Sequence, residues 1–170
     1  MTLLETLGFA RRAPSLPQIL VQRAASTPRG AWLLSKILHP IDRLAFALTR
    51  DRWSVTTLLG GVPVVVLTTI TRHGRTRSVP LMGVPLGDAL AVIGTNFGQP
   101  RAPAWIRDLA TNARATVAFR GRIVKVSARE TSGSERESAL AVATAMYPGI
   151  ASYAERARRD IRVFVLEPAS

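Results

Sequence analysis

Residues 89 to 105 read Ala89-Leu90-Ala91-Val92-Ile93-Gly94-Thr95-Asn96-Phe97-Gly98-Gln99-Pro100-Arg101-Ala102-Pro103-Ala104-Trp105. The opening run, Ala89 to Ile93, has the length and composition of a buried strand. Two glycines, two prolines and an asparagine then end it with residues that accept tight or left-handed backbone. Pro103 suits the first turn of a helix from Ala104 to Thr111, because its fixed φ is already helical and the amide it lacks would have no partner there. The free N–H groups of that helix start would face whatever lies beyond Thr95, which favours an anionic or planar polar ligand. A plain strand–turn–helix connection with no ligand would use the same residue types.

On either side of this stretch the residue period is that of strands. Val64 to Thr69 forms the first, the basic turn Thr71-Arg72-His73-Gly74-Arg75-Thr76-Arg77 reverses it, and Ser78 to Val84 returns. Pro85 to Asp88 turns again into the strand at Ala89. Downstream, Ala115 to Phe119 and Ile123 to Ala128 flank the tight turn Arg120-Gly121. Glu135 to Tyr147 is a helix opened by Ser132-Gly133-Ser134, and a shorter helix follows Pro148-Gly149. Ile161 to Leu166 reads as a final alternating strand with Arg162 facing solvent. About six antiparallel strands with helices between hairpins predict an α+β fold, a closed or split β-barrel over residues 58–170.

Residues 1–57 have a helical period instead and form an expected N-terminal arm. Leu16 to Ala25, Ala31 to Leu38 and Ile41 to Thr49 are short amphipathic pieces separated by Thr27-Pro28-Arg29-Gly30 and His39-Pro40. Their apolar faces either pack on the barrel or lie on an anionic membrane surface, where basic amphipathic helices bind. Up to Gly60 the chain carries eight basic and three acidic residues, which suits the second reading.

Composition excludes several classes. At 170 residues, 47% hydrophobic and 20% charged, the chain fits one folded domain with a single core. The absence of Cys removes disulfides, thiolate metal sites and a Cys nucleophile, and a cytoplasmic protein is expected. Met1 to Ala13 is too short and wrongly ordered for a secretory signal, and no stretch approaches the about 20 apolar residues of a spanning helix. Net charge is +12, and 21 of the 23 basic residues are Arg, Lys36 and Lys125 being the others. Such a balance favours polyanionic partners. The Arg residues are spread along the chain without the aromatic interleaving of nucleic-acid modules, so no specific nucleic-acid partner is expected.

The chain brings little chemistry of its own. Its two His, His39 and His73, have no spaced partners for a metal, and no nucleophile elbow, phosphate loop or dinucleotide fingerprint occurs. An enzyme built from these residues requires a bound cofactor for the difficult step. Arg72, Arg75 and Arg77 share one turn and Arg101 lies in the turn after the next strand, so guanidinium groups can converge on phosphate or carboxylate.

Four blocks, in order and at matching spacing, resemble the deazaflavin-dependent nitroreductase family, flavin/deazaflavin oxidoreductases of actinobacteria with a split, FMN-binding-like β-barrel. They are Leu67-Thr68-Thr69 through Gly74-Arg75-Thr76-Arg77 to Pro80-Leu81; Gly94 to Trp105; Asn112 to Val117; and Tyr147-Pro148-Gly149 with Ile161 to Pro168. Ala25-Ser26-Thr27 to His39-Pro40-Ile41-Asp42-Arg43 looks like a longer-armed branch, some members of which are thought to associate with membranes or bind fatty acids.

The resemblance implies coenzyme F420, an 8-hydroxy-5-deazaflavin with a phosphate and a polyglutamate tail, in preference to FMN. Mapped residue by residue, the phosphate and tail fall to Arg72 and Arg77, and Arg75, Ser78, Val79 and Arg101 are further cofactor-binding candidates in and after the same turns. Gly94, Thr95 and Asn96 line the ring, and Ala104, Trp105 and Asp108 complete the site from the helix. Thr95 stands where the family has a Ser beside the reacting atom, and Tyr147 and Tyr153 are two of the family's three C-terminal tyrosines, so these three residues carry the catalytic roles. Departures are Ile70, Thr71 and Thr76 in the basic turn, and Phe97, Ile106 and Ile150, which make the implied substrate pocket more apolar. The implied function is hydride transfer from reduced F420 to an apolar electron-poor acceptor such as a quinone, enone or nitro compound. The alternative is a non-catalytic fatty-acid- or lipid-binding member, cytoplasmic or peripheral on the membrane's inner face. Monomer and homodimer are both compatible with the sequence.

Overall fold

The computed structural model describes residues 2–9 and 62–169. The helices expected between Leu16 and Thr49 lie outside these. In chain order the described elements are helix α1 (Leu3–Leu7), strands β1 (Val64–Ile70), β2 (Thr76–Met82), β3 (Val84–Leu86) and β4 (Ala89–Ile93), and helix α2 (Ala104–Thr111). Strands β5 (Arg114–Phe119) and β6 (Arg122–Glu130), helices α3 (Gly133–Met146) and α4 (Gly149–Ala157), and strand β7 (Val163–Pro168) follow.

One residue, Gly83, separates β2 from β3, yet these strands lie at opposite edges of a single antiparallel sheet ordered β2-β1-β5-β6-β7-β4-β3. A single residue cannot span a flat seven-stranded sheet, so the sheet curls until its edges meet at Gly83, and β2 approaches β4 there. A Cβ on Gly83 would stand 3.0 Å from Val65 and 3.1 Å from Phe9, which is why the closing point has no side chain. Pro80 and Pro85 sit on the two edge strands, where a missing amide breaks no interior ladder. The expected split barrel therefore stands. The single strand expected from Ser78 to Val84 is two, which makes seven strands instead of six.

Alternate residues of the curled sheet point inward. Val65 and Leu67 of β1, Leu90 and Val92 of β4, Val117 and Phe119 of β5, Val126 of β6, and Phe164 and Leu166 of β7 form the barrel interior. Trp105, Ile106 and Leu109 of α2 join them from one side. From another come Leu3 and Leu7 of α1, which are 0% and 1% exposed. From the expected arm, Leu3 and Leu7 thus belong to the barrel core, with Leu4 and Phe9 packed against it. α1 forms because Thr2 and Glu5 make a capping box, Glu5 N–H donating to Thr2 Oγ1 at 3.2 Å and Thr2 N–H to Glu5 Oε2 at 2.9 Å. At its other end Gly8 takes the left-handed cap at φ 66°, and Arg122 Nη1 donates to Thr6 O at 3.0 Å.

The outer face of β4 and β7 is covered as well. Ala91, Ile93, Val163 and Val165 pack against Ala139 and Ala143 of α3 and Ile150, Tyr153 and Ala157 of α4. Both faces being covered, Val163 to Leu166 are all buried, so the alternation expected for the last strand does not occur. Arg162, just before it, is half-buried and held by a two-pronged pair with Glu130.

Candidate functional site

The turn after β4 is shaped from both ends. Gly94 is buried, and a Cβ there would overlap Ile106 Cδ1, so only Gly lets β4 run this close to α2. Asn96, Phe97 and Gly98 follow with φ of 47°, 54° and 77°, a left-handed run that costs each L-residue about 1–2 kcal/mol. Asn96 Nδ2 donates to Arg101 O at 2.9 Å, closing the turn on itself. A residue with no distinguishing sequence signal closes it from outside. Arg159 Nη2 donates to Gly94 O at 2.8 Å and Thr95 O at 3.3 Å, and its Nε to Gln99 O at 3.4 Å. Burial draws this guanidinium below its usual range, yet arginine remains charged. Thr95 itself is 9% exposed.

The basic hairpin is built on Thr71. Its amide donates to Arg75 O at 2.7 Å, its carbonyl accepts from Gly74 N–H at 2.9 Å, and its hydroxyl accepts from Arg75 N–H at 3.2 Å. Thr71, one of the departures in the basic turn, is the residue that shapes it. Arg72 and Arg75 are exposed, Arg72 Nε donating to His73 Nε2 at 3.0 Å. Arg77 differs: Nε pairs with Asp108 Oδ2 at 3.0 Å, and the hydroxyl of Thr69, its register partner on β1, donates to the same oxygen at 3.1 Å. Asp108, expected to complete the cofactor site from the helix, is a buried residue that holds Arg77. Ser78 Oγ lies 2.8 Å from Thr68 Oγ1, and Val79 packs on the barrel interior.

Helix α2 brings these two turns together. Asp108 engages the hairpin through Arg77, and Ile106, two residues earlier on the same helix, packs under Gly94. The Pro103 cap places Ala104 and Trp105 at the helix start between them. Trp105 is 2% exposed with its Nε1 lacking a hydrogen-bond partner among the described residues, and its ring meets Phe164 edge-on.

A third group lies on the other side of the Gly94 turn. Phe97 meets the ring of Tyr153 edge-on at 6.0 Å, and the hydroxyls of Tyr153 and Tyr147 are 2.9 Å apart. Gly149 makes this fold-back possible, since a Cβ there would fall 2.5 Å from Tyr147 Cε1. Burial, then the hydrogen bond with Tyr147, pushes the Tyr153 hydroxyl well above the ordinary tyrosine range, so it keeps its proton. Ile150 is buried in the same outer cluster as Phe97 and the tyrosines. Ile106 is not: it belongs to the barrel interior, so the three residues expected to form one apolar pocket are divided between two cores.

Comparison with known proteins agrees with this architecture. The sequence model of the F420H(2)-dependent quinone reductase family matches residues 43–168. A solved F420-H2 dependent reductase (FDR-A) is 33% identical, covering 62% of this chain and 94% of its own, with a TM-score of 0.58. A structure described as a domain-swapped dimer is 28% identical over 75% of this chain and 99% of its own, with a TM-score of 0.59. The protein Atu2129 from Agrobacterium tumefaciens, at 17% identity, 64% of this chain, 49% of its own and a TM-score of 0.53, shares the fold.

Proposed function

This chain belongs to the F420H(2)-dependent quinone reductase family, and from that premise we propose that it reduces an apolar quinone-like acceptor at the mouth between α2, the basic hairpin and the Gly94 turn. The family membership makes it an F420-dependent oxidoreductase with coenzyme F420 as cofactor. One observation carries the location: α2 joins the Arg-rich hairpin, through Asp108 and Arg77, to the Gly94 turn, through Ile106.

The donor set suits a planar coenzyme with an anionic tail. Arg72, Arg75 and Arg77 stand on one hairpin with Asp108 the one carboxylate paired there among the described residues, and they would hold phosphate and glutamate carboxylates. Arg101 would add a fourth guanidinium, with Ser78 and Val79 flanking. Gly94, Thr95 and Asn96 would lie along the ring, with Ala104 and Trp105 at the helix start. When bound, the reduced coenzyme supplies a hydride.

The chain's own part is to orient, to keep water out and to handle a proton. The Thr95 hydroxyl would hydrogen-bond the acceptor oxygen. Tyr147, half-buried with its hydroxyl 2.9 Å from that of Tyr153, would hold a proton for the reduced acceptor, and the buried Tyr153, which resists releasing its own proton, would orient that hydroxyl. Phe97 and Ile150 supply apolar surface beside these hydroxyls, which favours a quinone or enone over a charged acceptor.

The test is a fluorescence titration of the protein with F420, repeated with FMN and with Arg72→Ala and Arg77→Ala, followed by turnover with a menadione-type acceptor. Saturable F420 binding weakened about tenfold by either Arg change is expected. Binding indifferent to both changes, or no turnover above blank, would remove this reading.

A further inference from the structure

Asn96, Phe97 and Gly98 occupy left-handed backbone in succession. That conformation disfavours a side chain as large as Phe, and it persists only where the surroundings over-determine it. Within the turn, Gly98 N–H donates to Thr95 O at 3.0 Å and Asn96 Nδ2 to Arg101 O at 2.9 Å. Gln99 N–H donates to Asn96 O at 3.0 Å as well, Phe97 packs on the Tyr153 ring, and a further restraint comes from the end of α4. Arg158, the cap of α4, is itself left-handed at φ 49°, and the residue after it, Arg159, reaches the turn. Its guanidinium donates to Gly94 O, Thr95 O and Gln99 O, and its Nη1 to Asp160 O at 3.2 Å. No carboxylate among the described residues pairs with it, since the Asp160 side chain is turned to Arg136.

The geometry points to Arg159 as the positioning residue of the cofactor-facing turn: it holds three carbonyls of the left-handed turn in the shape that meets the coenzyme, a role that rests on the proposed contact between this turn and the deazaflavin. A guanidinium satisfied by carbonyls alone also leaves its charge uncompensated behind the turn, so the front of the turn favours negative charge. Lysine reproduces the charge but not the fork, because an ammonium group is a point donor that cannot serve three separated carbonyls along one plane.

Arg159→Gln and Arg159→Lys are compared with the wild type in two measurements. Amide exchange of the protein without coenzyme reads the turn itself. Arg159→Gln is expected to speed exchange at Gly98 and Gln99 about tenfold while Val92 in β4 is unchanged, with Arg159→Lys intermediate. Fluorescence titration with F420 is expected to give a Kd about tenfold higher for Arg159→Gln, partly restored by Lys. If Arg159→Gln does not fold, Arg159→Lys alone carries both measurements. Unchanged exchange at Gly98 and Gln99 overturns the positioning role. Faster exchange with an unchanged F420 Kd overturns its bearing on the cofactor. Wild-type protein that binds no F420 overturns the site reading instead, a result distinguishable from either.

Discussion

The hydroxyl oxygens of Tyr147 and Tyr153 lie 2.9 Å apart, joining the end of α3 to the middle of α4. Phe97 packs on the same Tyr153 ring, so the pair borders the Gly94 turn. Tyr153→Phe keeps the ring and removes the proton. It is expected to lower kcat with a quinone acceptor about tenfold, because the Tyr147 hydroxyl that holds the proton loses its partner, with the F420 Kd unchanged. Steady-state kinetics beside a coenzyme titration check this, and an unaltered kcat removes Tyr153 from the proton path.

Alkali should expose the same residue. The folded state holds Tyr153 protonated well above its ordinary 10.0, because burial penalises the phenolate. Stability is therefore fully present below pH 10, where folded and unfolded chains both carry the proton. It falls as pH rises beyond that toward the raised folded-state value, since only the unfolded chain releases it. Urea midpoints between pH 9 and about 11 should decline more steeply for the wild type than for Tyr153→Phe.

Asp108 accepts from Thr69 and pairs with Arg77 on one oxygen, beneath the basic hairpin. Asp108→Ala leaves the fully buried Thr69 hydroxyl without that partner and Arg77 without its anchor. A loss of about 1–3 kcal/mol is expected, together with weaker F420 binding. Asp108→Asn, which retains an acceptor, should recover most of the stability. Equal losses in the two variants would mean that charge, not hydrogen bonding, holds Arg77.

Gly94 and Ile106 should be coupled. Gly94→Ala drives a Cβ into Ile106 Cδ1 and is expected to cost about 1–3 kcal/mol. Ile106→Val removes that methyl at a cost of about 0.5–1.5 kcal/mol alone. In the double variant the losses should sum to less than their separate values, an interaction that a double-mutant cycle in urea measures directly. Strict additivity would place the strain elsewhere, against Arg162 O, which stands 3.3 Å from the same Cβ.

Leu7→Ala should cost about 2–5 kcal/mol, the price of a cavity in the barrel interior. F420 affinity of the folded fraction should be unaltered, because none of the residues proposed to hold the coenzyme lies on α1. A loss no larger than a surface change would show that α1 is not integral to the core.

What the sequence determined by itself is local. Pro103 and the run to Thr111 specify α2, the Gly and Asn content of residues 94 to 98 specifies a turn able to go left-handed, and the Val and Leu runs specify strands. The Thr2…Glu5 spacing also marks α1, a capping-box signal that is weak by itself in a helix of five residues. Family-like blocks pointed to the deazaflavin fold for the same reason: they are contiguous. The tertiary structure alone decided the sheet order, its closure at Gly83, the separation of Ile106 from Phe97 and Ile150, the holding of Arg77 by Asp108, and the grip of Arg159 on the Gly94 turn. The decisive polar contacts join residues 39 and 65 positions apart. Over such separations, neighbouring residues carry no mark of the partner. Among 21 arginines of equal charge, which one meets a backbone carbonyl is settled by how the barrel curls and where α4 ends.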